Sequence, residues 1–287
     1  MKNNTVVKGI LFVIIDSFFF SLMSLLVRES GDLPVFEKAF FRNLVASAAS
    51  LITLARSEEK FHIKKGSMPD LWKRAIFGGT GMLLNFYAID HIPLADANIL
   101  NKMSPFFAIV ASIFVLSEIP TVSEIITVIV AFFGAVLVVK PGMAASWNAL
   151  AGLASGAGAG IAYTYVRKLG KHGERGPVIV AFFSIFTCAV CLIPMCIEFV
   201  PLSAKQLLYL LAAGGCAAIA QFAITAAYKF APASQISVFD YSQVLFASIW
   251  GIMFFDEVPD HISIIGYVLI LSMAVLRWQL TLRKEKK

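Results

Sequence analysis

The chain is 287 residues long, 59% hydrophobic and 15% charged, with a mean hydropathy of +0.80. A 31.3 kDa globule in water has too little interior to hide that much apolar surface, so a water-soluble class is excluded and lipid is the natural solvent. The net charge of +6 comes from short basic segments between apolar runs, which marks membrane topology rather than a nucleic-acid surface.

Apolar stretches of about 20 residues cross the hydrocarbon core as helices. Ten are predicted, at 9–28, 35–55, 72–90, 95–116, 122–140, 149–168, 177–198, 206–228, 234–254 and 262–280. Lys2 and Lys8 precede the first, but the run from Gly9 to Val27 is too long for a secretory signal and lacks a small-residue cleavage pattern. The second span leads into the longest connection, Arg56 to Pro69, whose Lys60, Lys64 and Lys65 read as topological charge, with anionic headgroup contact the lesser alternative. The sixth span carries Gly152, Ser155, Gly156, Gly158 and Gly160, a density that lets a neighbouring backbone approach closely or slide. Its first-half counterpart carries Phe18, Phe19 and Phe20 instead. Cys188, Cys191, Cys196 and Cys216 fall inside spans and read as small core residues, neither disulfide nor metal ligands. Short connections elsewhere leave no room for an extramembrane domain.

The second half repeats the first at an offset of 139 residues. Ala88, Pro93, Ala108, Glu118, Pro120 and Ala135 recur as Ala227, Pro232, Ala247, Glu257, Pro259 and Ala274, and Val27, Arg28 and Gly31 as Val166, Arg167 and Gly170. Five spans fall in each half, and an odd number forces the two copies into opposite orientations, the architecture of secondary transporters. The predicted fold is therefore an all-α membrane protein of ten helices in two inverted five-helix repeats, 1–143 and 144–287. With the amino terminus in the cytoplasm, 18 Lys and Arg fall inside and five outside, Arg42 among the outer five and Arg74 among the inner 18. Both termini are thus expected inside.

A Lys or Asp at the centre of a span costs about 2.5–3.5 kcal/mol on insertion scales, so such residues need partners or water. Asp16, Lys102 and Asp240 are the three that qualify, and Lys102 and Asp240 each lie roughly 12 Å into their spans from opposite sides. On the fourth span Asn98, Asn101, Lys102 and Pro105 follow helical i, i+3, i+4, i+7 spacing and form one polar stripe. The repeat carries Asn101 onto Asp240 and Lys102 onto Tyr241. Asn85 and Phe86 on the third span, Tyr163 on the sixth, and Gln221 and Thr225 on the eighth complete a candidate substrate-binding wall. Amides, aromatics, a cation and carboxylates suit a small amphiphilic or zwitterionic solute better than a bare ion. Against that stand a plain buried pair for Lys102 and Asp240, a helix-capped Asp16, and Asn85 and Gln221 as interhelical glue. Glu118 and Glu257, each two residues before a proline, read as punctuation of the repeat. His62, His91, His172 and His261 lie in loops or at span ends and no paired-acid motif exists, so no enzyme, cofactor or metal is expected.

The segment from Tyr87-Ala88 to Pro93-Leu94-Ala95, Pro105, the Glu118 to Pro120 close, Gly134 and the Lys140-Pro141-Gly142 ending, with Ala227 to Pro232, Tyr241, Gly251, Glu257 to Pro259 and Gly266 in the second half, resemble the EamA-type branch of the drug/metabolite transporter superfamily over nearly the whole chain. The resemblance implies inverted repeats, cytoplasmic termini, a central cavity lined by spans 1, 3, 4, 6, 8 and 9, and movement of amino acids, nucleobases, other metabolites or drugs, often outward. Val244 departs from its repeat partner Pro105, and the Lys102 and Asp240 charges are not a general feature of the family. The expected protein is a secondary transporter of a bacterial inner membrane, an exporter or exchanger of a small polar metabolite, with Asp16 or Asp240 available to carry a proton. It works by alternating access as monomer or homodimer in the lipid bilayer. A lipid-translocating or non-transporting assembly protein is the alternative.

Overall fold

The computed structural model describes residues 2–91, 100–139, 147–255 and 260–285, and every regular element among them is helical. In chain order the helices are α1 (Lys2–Glu29), α2 (Val35–Ala55), α3 (Met68–His91), α4 (Ser104–Leu116), α5 (Val122–Val139), α6 (Trp147–Lys171), α7 (Gly176–Ile197), α8 (Ala204–Phe230), α9 (Ser242–Phe255) and α10 (His261–Glu285). Local chemistry sets their ends. Pro34 precedes α2, Pro177 opens α7, and Ser203 with Gln206 closes a capping box on the first turn of α8. Ser117 ends α4 in the left-handed conformation, φ 54°.

Among the described residues, five segments are long and apolar enough on their own to span a bilayer: Thr5–Glu29, Gly176–Ile197, Ala204–Phe230, Ala233–Phe254 and His261–Leu280. Helices α2, α3 and α6 have the length but dilute their apolar residues with Glu37, Lys38 and Arg42, with Asp70, Lys73 and Arg74, and with the glycine stripe. Several of those polar groups, Glu37, Arg42 and Arg74 among them, are buried inside the protein rather than turned to lipid.

Helix packing runs mainly between the halves. α1 packs on α8 and α3 on α6; α4 packs on α6 and α1 on α9; α2 faces α7 and α5 faces α10. Exchanging each helix for its repeat partner maps this set of pairs onto itself, as a pseudo-twofold axis between inverted copies requires. At the α5–α10 contact a Cβ on Gly134 would stand 2.9 Å from the carbonyl oxygen of Gly266, and Arg277 pairs with Glu124 at 2.7 Å, both nearly inaccessible.

The fourth and ninth spans are not continuous helices. Leu100 and Asn101 are helical, Lys102 and Met103 form a turn, and α4 starts afresh at Ser104. Pro105 explains the break, because it has no N–H for the Asn101 carbonyl and its ring crowds that oxygen. The polar stripe expected along one unbroken helix is thereby corrected: Pro105 belongs to the first turn of α4, after the break, and Asn98 lies outside the described residues. In the ninth span a single α-turn (Ala233–Ile236) passes through a 3₁₀ segment (Ser237–Tyr241) into α9. Here, without a proline, Ser237 Oγ donates to the Ala233 carbonyl at 2.6 Å. The interruptions match under the 139-residue offset.

The α6 glycines meet the first of these breaks. A Cβ on Gly156 would lie 2.7 Å from the Leu100 carbonyl oxygen, and one on Gly160 2.5 Å from the Ser104 oxygen and 2.6 Å from the Ala108 nitrogen. Gly160→Ala should lower stability by about 1–3 kcal/mol, since backbone cannot step aside. Gly215→Ala, whose Cβ meets nothing within 4 Å, should gain up to about 1 kcal/mol from helix propensity. Thermal unfolding in detergent reads both, and opposite signs are expected.

Candidate functional site

A cavity of about 450 Å³ lies between the halves, walled by α1, α2, α3, α6, α7, α8 and the two interrupted segments. One end reaches the turn between α1 and α2, at Val27, Arg28, Gly31 and Asp32; farther in along α3 it reaches Gly78 and Arg74 beside Phe183.

The breaks supply its polar side. Lys102 Nζ donates to Gln243 Oε1 at 2.7 Å and to Asp240 Oδ2 at 3.2 Å, with the Asp240 carbonyl oxygen 3.4 Å away. The Lys102–Asp240 pair is mostly buried but keeps 11% and 14% of its side-chain surface open, so it meets the cavity without being dry. Ser17 Oγ on α1 donates to the Asp240 carbonyl at 3.4 Å. Tyr241, fully buried, donates its hydroxyl to the Lys102 carbonyl at 3.1 Å, which links two residues that are repeat partners.

Seven of the predicted residues line this one space: Asn85, Phe86, Asn101, Lys102, Tyr163, Gln221 and Asp240. Asn101 Nδ2 donates to Ser155 Oγ at 3.0 Å, and the Tyr163 ring stacks on Tyr228 at 4.8 Å. Asn85 Oδ1 and Gln221 Nε2 are buried without a hydrogen-bond partner among the described residues. Asp16, Thr225 and Tyr241 lie behind the cavity surface; Asp16 Oδ1 and Thr225 Oγ1 also lack partners.

Sequence reasoning missed Arg42 and Arg74, counted as topological charges on opposite sides of the membrane. Both line the cavity, at 7% and 2% exposure. For Arg42 a signal existed: it is the eighth residue of its predicted span, as Lys102 is of its own. Gln243, the nearest partner of Lys102, carried none.

The far end of the molecule, near the α2–α3 connection, is tied shut by charge. Glu118 Oε1 accepts from Lys171 Nζ at 2.7 Å and Arg167 Nε at 3.2 Å, and Lys168 pairs with Asp70 at 3.1 Å. Glu174 accepts from the Lys64 backbone N–H at 2.9 Å, and Arg175 reaches Ser57 Oγ at 3.1 Å and the carbonyl of Lys60. The basic connection is thus latched onto the α6–α7 corner.

Inverted five-helix halves, two spans opened at matching positions and a polar chamber between them define a membrane transporter rather than an enzyme. The chain belongs to the EamA-like transporter family, whose model matches it twice, at residues 7–140 and 146–277. It is 33% identical to the pseudopaline exporter CntI of Pseudomonas aeruginosa, over 93% of this chain and 95% of that one. Similarity extends to an uncharacterized transporter of Helicobacter pylori, 26% identical over 99% of both chains, and to solute carrier family 35 member G1 of Mus musculus, 25% identical over 94% of this chain and 79% of that one. A crystal structure with 17% sequence identity superposes with a TM-score of 0.83, covering 95% of this chain and 98% of that one, and so shares the fold.

Removing one member of the central pair leaves the other charge uncompensated. Lys102→Met or Asp240→Asn should each lower thermal stability, by less than the about 3–5 kcal/mol of a dry pair because cavity water reaches both groups. The double variant should recover most of that loss in a double-mutant cycle of melting curves.

Proposed function

We propose that this protein is a secondary transporter that exports a small polar or amphiphilic metabolite across a bacterial inner membrane by alternating access. The observation that carries the reading is a chamber open at the α1–α2 turn and latched at the opposite end by the Glu118 and Asp70 ion pairs. With both termini in the cytoplasm, this is the outward-facing state. Without the cavity residues Arg42 and Arg74 the charge tally becomes 17 inside against four outside, which keeps that orientation. The printed function of the P. aeruginosa relative supports export.

The chamber is formed within one chain, which supports a monomer as the transporting unit, with repeats at 1–143 and 144–287. Asn85, Asn101, Lys102, Tyr163, Gln221 and Asp240 are the groups assigned to the substrate. Asp16, 1% exposed, has one carboxylate oxygen without a partner among the described residues and feels the charges of Asp240, Lys102 and Arg42, which suits it to exchange a proton during the cycle. Lipid translocation has one observation in its favour, an apolar groove of about 740 Å³ between α1, α9 and α10. That groove presents no polar surface to select a headgroup, so the solute reading is the stronger one.

The test uses Met82→Cys, on the cavity wall, in a chain whose four native cysteines are replaced. A membrane-impermeant maleimide added outside should label it. Adding Glu118→Gln, which weakens the cytoplasmic latch, should cut outside labelling several-fold by shifting the population inward. Labelling of Met82→Cys from the cytoplasmic side alone would overturn the assigned orientation and state, and absence of counterflow for every solute class in proteoliposomes would overturn transport.

A further inference from the structure

Arg42 and Arg74 differ from Arg277 and Arg167, the arginines that hold helices together at the α5–α10 contact and at the charged latch. Where an arginine is buried for architecture, a carboxylate meets it: Arg277 has Glu124 at 2.7 Å and Arg167 has Glu118 at 3.2 Å. Arg42 instead directs Nη1 and Nε at the thioether sulfurs of Met82, 2.8 Å, and Met23, 3.2 Å, with its Cζ 5.6 Å from the Phe20 ring centre. Thioethers are weak acceptors, and a guanidinium has five N–H donors to satisfy. Arg74 lies with Cζ 4.1 Å from the Phe183 ring centre, makes no hydrogen bond among the described residues, and its Nε is buried without a partner. Two nearly inaccessible cations therefore face one cavity, and among the described residues neither has a carboxylate at ion-pair distance, although the buried Asp16 acts on Arg42 through its charge. Lys102 already has Asp240, and does not share in this surplus.

We infer that the solute is an organic acid carrying two anionic groups, one received by Arg42 and the other by Arg74, with its carbon skeleton against Phe20, Phe183 and the methionines. This rests on the transporter reading and names the substrate class of that same chamber. Spacing favours two groups over one. The Arg74 head lies against Gly78, where a Cβ would come within 2.0 Å of Nη1, and the Arg42 head lies against Met82. Gly78 and Met82 are four residues apart on α3, so the residues that the two heads touch are set roughly 6 Å apart along the helix. That separation suits acids divided by a few carbons; an inorganic anion is too small to bridge it. Guanidinium forks bind carboxylates in pairs of parallel hydrogen bonds, which explains arginine at both positions. Asn85 Oδ1 and Gln221 Nε2, without partners among the described residues, line the same cavity for the neutral polar groups of the solute.

The full chain in proteoliposomes tests this by counterflow with straight-chain dicarboxylates from succinate to suberate, L-glutamate, the neutral L-glutamine and glutaramide, putrescine and inorganic phosphate. Dicarboxylate exchange is expected, with neutral and cationic probes inert, and a loss of tenfold or more in Arg42→Met and in Arg74→Met. Arg74→Met should also raise the melting temperature of the empty protein, since it removes a buried charge that has no carboxylate at ion-pair distance; a fall would mark Arg74 as structural and overturn the assignment. Gly78→Ala keeps both charges but displaces the Arg74 head, and should also weaken exchange. Exchange of neutral or cationic probes without dicarboxylates leaves transport standing and overturns the two-acid substrate. Phosphate exchange with the same arginine dependence overturns the two-group spacing. No exchange of any probe overturns the transport reading and this inference with it.

Discussion

Hydrocarbon offers no hydrogen bonds, so a helix inside a bilayer can be opened only where other protein groups or water take up the freed polar atoms. That constraint fixes this molecule's centre. The fourth and ninth spans are interrupted at equivalent places, and each interruption is served by the other half: Tyr241 caps the Lys102 carbonyl, while Lys102 and Ser17 approach the Asp240 carbonyl. Neither break would be tolerable alone against lipid. Together they create a patch of polar backbone and side chain at mid-depth, and the chamber forms around it.

The bland parts of this design were legible in one dimension. Hydropathy and the 139-residue offset mark ten spans and two copies, and the limits 35–55 coincide with α2. The matching depth of Lys102 and Asp240 in their spans accords with the ion pair they form. What escaped was direction around each helix. Tyr241 and Thr225 have the right depth but turn into packing, whereas Arg42 and Arg74, both scored as topological charge, turn into the cavity. A charge tally cannot separate a cation that fixes orientation from one that serves a ligand. The first break was foreshadowed by Pro105; the second, at a position where Val244 replaces that proline, left no mark in composition.

The halves differ most where α6 and α1 carry out equivalent tasks. α6 lays bare glycines against backbone at the first break. α1 places Phe18 edge-on to Phe246 at 5.3 Å and to Trp250 at 5.7 Å, and Trp250 Nε1 donates to Ser21 Oγ at 3.0 Å. Close-packed backbone at one break and interlocked aromatics at the other surround the two interruptions with unlike packing.

The hydrogen bond between Tyr241 and the Lys102 carbonyl joins two residues that the duplication relates to each other. Such a link must straddle the pseudo-symmetry axis, and points on an axis stay still when the bodies around it trade places. On the alternating-access reading proposed above, the bond is a fulcrum: helices swing to either side while the cargo held beside it hardly travels. On that reading, traffic depends on moving the openings rather than the passenger, which never has to cross the oil.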